Sequence, residues 1–374
     1  MIEKHYNGVI EQVVSGIGNV EHNSILVRYS NDFSIWDLES VNHYKEQPDI
    51  FFTCHEFSYN RVAEAYEPYL ALIRQMFHKY GSGTLEEFME ECDVYKLQRP
   101  VFESYFETGF CQRTEQILID EVEYEQERMN NSIVTMIRKL SEICPIVIVL
   151  NRFQLASKST MQLTNQLLHT KDKNIGIVLG VNDVQSIPEF VHEEWDAICE
   201  SMDDRNMVFH IGNANKKKES DVLVYYSDYE SEEEYRKLNN LVYFLDFDQA
   251  DHHLSKIERR IKFDNFTISK KKYYQLLLLQ IMVSILQRDI AKALESCEDL
   301  EKLQDQEKEG SFYYNFWVAT SYMYLGKLEE AMTFAKKAGE CGVALDDDFL
   351  MFRAELLKAQ IQMSGWCNIF FCAQ

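Results

Sequence analysis

Residues Ile146–Leu150 form an unbroken apolar run, Ile-Val-Ile-Val-Leu, in which four of the five side chains are β-branched. Such a run predicts a strand buried on both faces, as in a parallel sheet. Helical sequence flanks it at Glu127–Leu140 and Ser159–Leu168, and a second apolar run, Ile175–Val181, follows at the distance expected of a βαβ unit. The sequence therefore predicts an α/β fold with a parallel sheet flanked by helices.

The composition limits the class of protein. The chain has 374 residues, 46% of them apolar, which suffices for two or three domains with a substantial core. Its formal charge of −23 would repel phosphate backbones, so no nucleic-acid partner is expected. The nine cysteines include no CxxC pair, and neither a signal peptide nor a membrane-length apolar window is present. We therefore expect a cytoplasmic protein with no metal site and no membrane contact.

The segments Ser24–Tyr29, 30–34 and Ile35–Tyr44 read as strand, short loop and helix, the order in which phosphate-binding loops occur. Such a loop needs glycines, so that backbone N–H groups wrap the phosphates, together with a lysine and a Ser or Thr for magnesium. Residues 30–34 contain neither glycine nor lysine, and Asp32 would repel a phosphate. No GxxxxGK[ST] pattern occurs anywhere in the chain, so the loop is interpreted as degenerate.

Further elements are predicted on either side of the central run. Two more strands are expected at Ile50–Cys54 and Met207–Ile211, with a weaker candidate at Val222–Tyr226. Residues 80–125 have helical periodicity and are interpreted as a helical insertion between strands. Connecting helices are expected at Tyr235–Lys262.

The stretch that follows Leu150 resembles a known family. Gln154, Ala156 and Ser159 keep the frame of the Walker B strand of the signal-transduction ATPases with numerous domains. Where that family has two acidic residues, this chain has Asn151 and Arg152. The resemblance implies a nucleotide domain followed by helical repeats, as in bacterial multidomain signalling proteins, with the scaffold retained and the chemistry lost.

The resemblance also implies roles for single residues. Asn151 stands where an Asp would hold magnesium, and its neutral amide is a poorer partner for a hard cation. Arg152 stands where an acid would orient the attacking water, and a guanidinium cannot act as a base. Asn182 stands where a sensor residue would contact a terminal phosphate. The expected degenerate nucleotide site comprises Ser30, Asn31, Ser34, Asn151, Arg152 and Asn182; no catalytic residue and no cofactor are expected, with ATP or ADP as a disfavoured alternative.

From Lys270 onward the pattern changes to long helices without strand signals. Phe316–Gly339 resembles the tetratricopeptide repeat, and weaker copies surround Ala293 and Phe349–Gly365, where Gly365 is expected to end a helix and a second helix to follow. Because the chain stops on an apolar segment without a polar capping helix, it is interpreted as truncated. The predicted domains are a degenerate P-loop ATPase-like α/β domain at 1–215, a helical connector at 216–268 and tetratricopeptide-like repeats at 269–374.

The concave side of the repeats is the expected protein-binding surface. Its aromatic candidates are Tyr273, Tyr274, Tyr313, Phe316, Trp317 and Tyr324, of which at least half are equally expected to be hairpin core. The first hypothesis is a non-catalytic regulatory module, a pseudo-ATPase domain joined to a protein-binding helical repeat. The second is an active ATP/ADP switch that controls a missing effector, such as a diguanylate cyclase or a DNA-binding domain, and the third is a plain protein-interaction scaffold.

Overall fold

The computed structural model describes residues 2–18, 23–30, 34–58, 61–111, 122–183, 187–203, 207–211, 232–263 and 267–371. Its strands are β1 (Ser24–Tyr29), β2 (Phe51–Glu56), β3 (Ile146–Asn151), β4 (Ile175–Asn182) and β5 (Val208–Ile211). Its helices are α1 (Ile2–Gly16), α2 (Glu39–Lys45), α3 (Tyr69–Tyr80), α4 (Leu85–Glu91), α5 (Arg99–Thr108), α6 (Val122–Ile143), α7 (Lys158–Thr170), α8 (His192–Asp203), α9 (Glu232–Tyr243), α10 (Phe247–Phe263), α11 (Lys270–Leu286), α12 (Ile290–Glu301), α13 (Gly310–Tyr324), α14 (Leu328–Leu345) and α15 (Asp348–Phe371). The predicted strand at Val222–Tyr226 and the site residue Asn31 lie outside the described residues.

The five strands form one parallel sheet in the order β2-β3-β4-β1-β5. Every residue of β3 and β4 is buried, so the centre of the sheet is covered on both faces. This confirms the prediction of a parallel α/β sheet that was made from the apolar runs. Strand β2 extends to Glu56, two residues past the predicted end at Cys54, and this extension brings Glu56 into register with Asn151 of β3.

The order of the strands marks one place at the carboxyl edge of the sheet. Strands β1 and β4 are neighbours, but their connections run in opposite directions. The connection after β1 leads to β2 at one edge of the sheet, whereas the connection after β4 leads to β5 at the other edge. In open α/β sheets, ligands bind outside the carboxyl ends of the strands at such a switch in direction. Tyr29 and Asn182, the last residues of β1 and β4, face each other in register at this point.

Helix α1 packs on one face of the sheet. It packs against β1, β3 and β4, and its side chains Tyr6, Ile10 and Val13 are fully buried. These three residues belong to the apolar stripe that the sequence shows at helical spacing, so α1 buries that stripe against the sheet. The phenol of Tyr6 thereby lies under the carboxyl edge, against Gly180 of β4.

The described residues fall into two compact units. The first holds the sheet and comprises the described residues up to 211, apart from Val122, together with residues 236–249. The second comprises Val122, residues 232–235 and the described residues from 250 onward. Because the division falls inside the predicted connector 216–268, helices α9 and α10 are shared between the two units. None of the described helices combines the length and the apolar character that a membrane crossing requires.

In the second unit, helices α11 to α15 pack each on the next along the chain. The predicted hairpin at Phe316–Gly339 is observed as α13, a short turn and α14, with Ala331, Ala335 and Ala338 fully buried. Gly326 ends this first helix: it has a φ of +74° and its N–H bonds to the carbonyl of Met323. The next N–H, from Lys327, bonds to the carbonyl of Tyr322 and completes a Schellman turn.

The prediction for Gly365 is wrong. Instead of ending a helix there, the chain continues in α15 through to Phe371. A single glycine in a helix interior costs only about 1 kcal/mol relative to alanine, so glycine alone does not dictate the end of a helix. The predicted second helix of a third hairpin is therefore replaced by one long helix.

We expect Gly326→Ala to lower the free energy of unfolding of the second unit by about 1 kcal/mol, because a Cβ strains the left-handed conformation although nothing lies within 4 Å of it. Gly339→Ala is the matched control in the same hairpin, since its Cβ would meet Ala354 only at 3.7 Å, an ordinary contact, and alanine favours the helix. Chemical denaturation followed by circular dichroism measures both. Equal loss of stability in the two variants would contradict the assignment of Gly326 as a helix stop.

Candidate functional site

The carboxylate of Glu56 is the centre of the polar groups at the carboxyl edge. Its Oε2 accepts hydrogen bonds from the Ser34 hydroxyl at 3.1 Å and from the Ile35 backbone N–H at 2.9 Å. Its Oε1 lies 3.0 Å from a guanidinium nitrogen of Arg152. Both oxygens are thus bonded, and the three donors come from the segment after β1 and the residue after β3. A hydroxyl, a backbone N–H and a guanidinium are also donors that bind phosphate oxygens in proteins.

The backbone at Arg152 directs its side chain to this carboxylate. Arg152 follows the last residue of β3 and has a φ of +54°, in the left-handed region that a non-glycine residue enters only at a cost of about 1 kcal/mol. The chain turns there into a short 3₁₀ helix, Phe153–Leu155. With its side chain only 17% exposed, the guanidinium is largely shielded from water, so its attraction to Glu56 is screened less than that of a surface pair.

A second polar contact links β1 to β3 across β4. The Tyr29 hydroxyl donates to Oδ1 of Asn151 at 2.7 Å, and both residues are buried. Because β4 lies between β1 and β3, this hydrogen bond passes over β4. The residue of β4 at that place is Gly180, where a Cβ would lie 2.6 Å from Asn151 Oδ1 and 2.3 Å from the Tyr6 hydroxyl. The Asn151 oxygen is therefore an acceptor for a phenol.

Asn182 lies beside this contact at the end of β4. It is buried, and its backbone N–H donates to Oε1 of Gln154 at 3.3 Å. Gln154 is fully buried and ties the turn after β3 to the end of β4. Next along the chain, Asp183 pairs at 2.9 Å with Arg28 of β1.

The structure thus brings most of the predicted site residues to one edge. Ser34 and Arg152 meet through Glu56, while Asn151 and Asn182 lie at the ends of neighbouring strands. Ser30 directly follows β1 at the same edge. The residue that sequence reasoning missed is Glu56, and the only available signal was an acidic residue shortly after a predicted strand.

His55 and Glu67 form a further pair next to Glu56. The Nε2 of His55 lies 3.7 Å from a carboxylate oxygen of Glu67. Burial, with the positive charge of Lys237, lowers the pKa of His55 from 6.5 to about 4, although Glu56 opposes the shift. The imidazole is therefore neutral at pH 7. Burial also raises the pKa of the Glu67 carboxyl, against a backbone hydrogen bond from Glu64 that lowers it.

Two more buried carboxylates hold the first unit together. Oε1 of Glu64 accepts from Arg236 at 2.9 Å and from the Asn240 amide at 2.6 Å. The carboxylate of Asp246 accepts the Ser159 backbone N–H at 2.8 Å in the first turn of α7. Burial raises the pKa of Glu64 and of Asp246, while their hydrogen-bond donors act in the opposite direction. All of these contacts lie within the first unit.

Half of the predicted partner-binding aromatics are core residues. Phe316, Tyr274 and Trp317 are 0%, 2% and 6% exposed and belong to one apolar cluster with the other helices of the second unit. The alternative that at least half of the six aromatics are hairpin core therefore applies to these three residues. Helix α13 packs against α11, α12, α14 and α15, so little of its surface remains for a partner.

Tyr273, Tyr313 and Tyr324 are half-buried. The Tyr273 hydroxyl donates to Asp299 at 3.2 Å, and burial together with this carboxylate raises the pKa of Tyr273 to about 12. Near Tyr313, the guanidinium carbon of Arg353 lies 4.4 Å from the ring centre of Phe316 and 5.8 Å from that of Tyr313. An arginine of the chain itself thus lies near two of the six predicted partner-binding aromatics.

Among the described residues, no group of three or more His, Cys, Asp or Glu side chains is arranged to hold a metal ion. Comparisons with protein-family models, with curated proteins and with solved structures found no match to this chain. The functional reading therefore depends on the geometry of the carboxyl edge and of the helices alone.

The lowered pKa of His55 predicts a loss of stability on acidification. In the unfolded chain the imidazole takes up a proton from pH 6.5 downward, but in the folded chain only near pH 4, so the free energy of unfolding falls as the pH drops through this window. The full effect is about 3 kcal/mol. His55→Gln should reduce this slope without abolishing it, because burial also lowers the pKa of His252 and His253, whereas His78→Gln, at an exposed position of α3, should leave it unchanged. Urea unfolding at a series of pH values measures it, and an unchanged slope in His55→Gln would contradict the assignment.

Proposed function

We propose that this chain is a non-catalytic regulatory module, in which a pseudo-ATPase α/β unit is joined to helical hairpins that bind a protein. The observation on which the proposal depends is the Glu56 carboxylate. It engages the Ser34 hydroxyl, the Ile35 N–H and the Arg152 guanidinium at the edge where an α/β sheet binds its ligand. In this proposal the carboxylate occupies the place of a nucleotide phosphate, so the α/β unit stays in a single conformation and needs no ATP to hold it.

Loss of catalysis is supported by what replaces each catalytic group. The oxygen of Asn151 accepts from Tyr29 and is not directed at an ion. Arg152 is permanently charged and paired with Glu56, so it neither accepts a proton nor orients a water as a carboxylate would. The loop at residues 30–34 supplies no lysine to a terminal phosphate. Each of the three functions of an ATPase site is thus without its usual group.

The protein-binding role is proposed for the helical hairpins of the second unit. Support comes from stacked helices whose connections are short, an architecture that presents extended surfaces to partners. Of the predicted aromatics, Tyr273, Tyr313 and Tyr324 retain partial exposure and are the remaining contact candidates. A regulatory module of this kind would respond to the binding of a partner protein without hydrolysing nucleotide.

Calorimetric titration tests the α/β part of the proposal. We expect no heat when ATP or ADP, each with magnesium, is titrated to millimolar concentration into the wild-type chain. Removing the internal carboxylate by Glu56→Ala should free the three donors, so that inorganic pyrophosphate binds weakly, and Glu56→Ala with Arg152→Ala should lose this binding. Glu46→Ala, which removes an exposed carboxylate at the end of α2, is the matched control and should behave as wild type.

The results of these titrations distinguish the three hypotheses. Micromolar binding of ATP to the wild-type chain would overturn the proposal in favour of an active nucleotide switch. A Glu56→Ala variant that stays folded by circular dichroism but gains no pyrophosphate binding would also overturn it, in favour of a plain scaffold.

A further inference from the structure

Three aromatic rings of the second unit surround the guanidinium of Arg353. Its central carbon lies 4.4 Å from the ring centre of Phe316, 5.8 Å from that of Tyr313 and 5.9 Å from that of Phe349. A cation is attracted to an aromatic face up to about 6 Å from the ring centre, so all three rings contribute. Tyr313, Phe316 and Phe349, hereafter the aromatic cage, belong to helices α13 and α15, which pack against each other.

The aromatic cage is open to solvent on one side. Phe316 is fully buried, but Tyr313 and Arg353 are half-buried and Phe349 is 46% exposed. An arginine side chain has several rotatable bonds, so the guanidinium of Arg353 is free to turn into water while the backbone of α15 stays in place. The cage is therefore a place where one cation can be exchanged for another without unfolding the helices.

Two carboxylates make the surroundings of the cage favourable to a cation. Glu309 directly precedes α13, and Asp347 directly precedes α15. Burial raises the pKa of Tyr313, and both carboxylates raise it further, whereas Arg353 lowers it. In the described part of the chain, neither carboxylate forms an ion pair with a lysine or an arginine. A cationic group from outside is thus attracted to this place, and an anionic group is repelled.

A buried hydroxyl close to the cage is left without a hydrogen bond. Tyr274 of α11 is 2% exposed, and no described residue bonds to its hydroxyl. Burial raises the pKa of Tyr274, and the nearby groups Tyr313, Glu307 and Glu309 act in the same direction. Because buried polar groups are normally satisfied, the contacts of this part of the helical unit are incomplete within the chain itself.

We propose that the aromatic cage binds an arginine side chain from a basic segment of a partner protein, and that this side chain displaces Arg353. The proposal rests on the protein-binding role proposed above for the hairpins and names the chemistry of the partner. A guanidinium fits because the cage already holds one. The formal charge of −23 attracts a basic segment at long range and repels a second copy of this chain.

The exchange explains what Arg353 does in the absence of a partner. One guanidinium replaces another, so the cage itself contributes little to the net affinity, which comes from the other contacts of the segment. Arg353 is thereby an internal competitor that keeps weak cationic ligands out. Its removal should strengthen the binding of any ligand that carries a guanidinium.

Titration of the full chain with an acetylated and amidated Gly-Arg-Gly peptide, followed by NMR, tests this inference. We expect Arg353→Ala to bind the peptide at least tenfold more tightly than wild type, and Arg353→Ala with Tyr313→Leu to lose this gain. Arg259→Ala is the matched control, because it removes an exposed arginine of α10 with the same change of net charge, and it should bind as wild type does. The same peptide with citrulline, which is uncharged but similar in shape to arginine, should not bind.

A folded Arg353→Ala chain that binds no more tightly than wild type would overturn the proposal. An equal gain in Arg259→Ala or equal binding of the citrulline peptide would do the same. Should Arg353→Ala fail to fold by circular dichroism, the wild-type chain decides, since excess arginine peptide must shift the NMR signals of Tyr313 while the citrulline peptide leaves them in place. Pyrophosphate binding to Glu56→Ala does not involve the cage, so a failure here is distinct from a failure of the pseudo-ATPase proposal.

Discussion

The carboxyl edge of the sheet depends on the carboxylate of Glu56. It ends β2, pairs with the arginine that follows β3 and accepts two hydrogen bonds from the segment after β1. Three connections that would otherwise diverge from a parallel sheet are thereby held at one point. Such an edge normally leaves donors free for a ligand, and here one side chain from within the sheet satisfies them.

In the second unit, too, a charged side chain of the chain itself contacts a candidate binding surface, but this side chain is positive. Arg353 of α15 lies over Phe316 and near Tyr313 of α13, where a cationic group of a partner would be attracted by the aromatic rings. In both units, therefore, a surface that resembles a binding site contacts a charged side chain of the chain itself. An external ligand at either place has to compete with a group that is covalently attached.

The sheet could be predicted from the sequence because its signals are local. The runs Ile146–Leu150 and Ile175–Val181 lie within one residue of the observed strands, and parallel pairing then places Asn151 and Asn182 at the same edge. Glu56 could not be found in this way, since its partner Arg152 is distant in the chain and the ion pair depends on a left-handed turn. For Phe316 and Trp317 the sequence left a contact role and a core role equally open, because α13 packs against several helices and its periodicity does not separate a surface from a core.

Gly180 links three positions of the sequence that have no local relation. Tyr6 of α1 and Asn151 of β3 both approach the point where any side chain at position 180 would begin. A related chain with alanine at 180 could keep this packing only with a smaller residue than tyrosine at 6 and a changed contact at 151. Positions 6, 151 and 180 are therefore expected to vary together during evolution, so that their joint pattern would distinguish chains that share this edge from chains that share only the sheet.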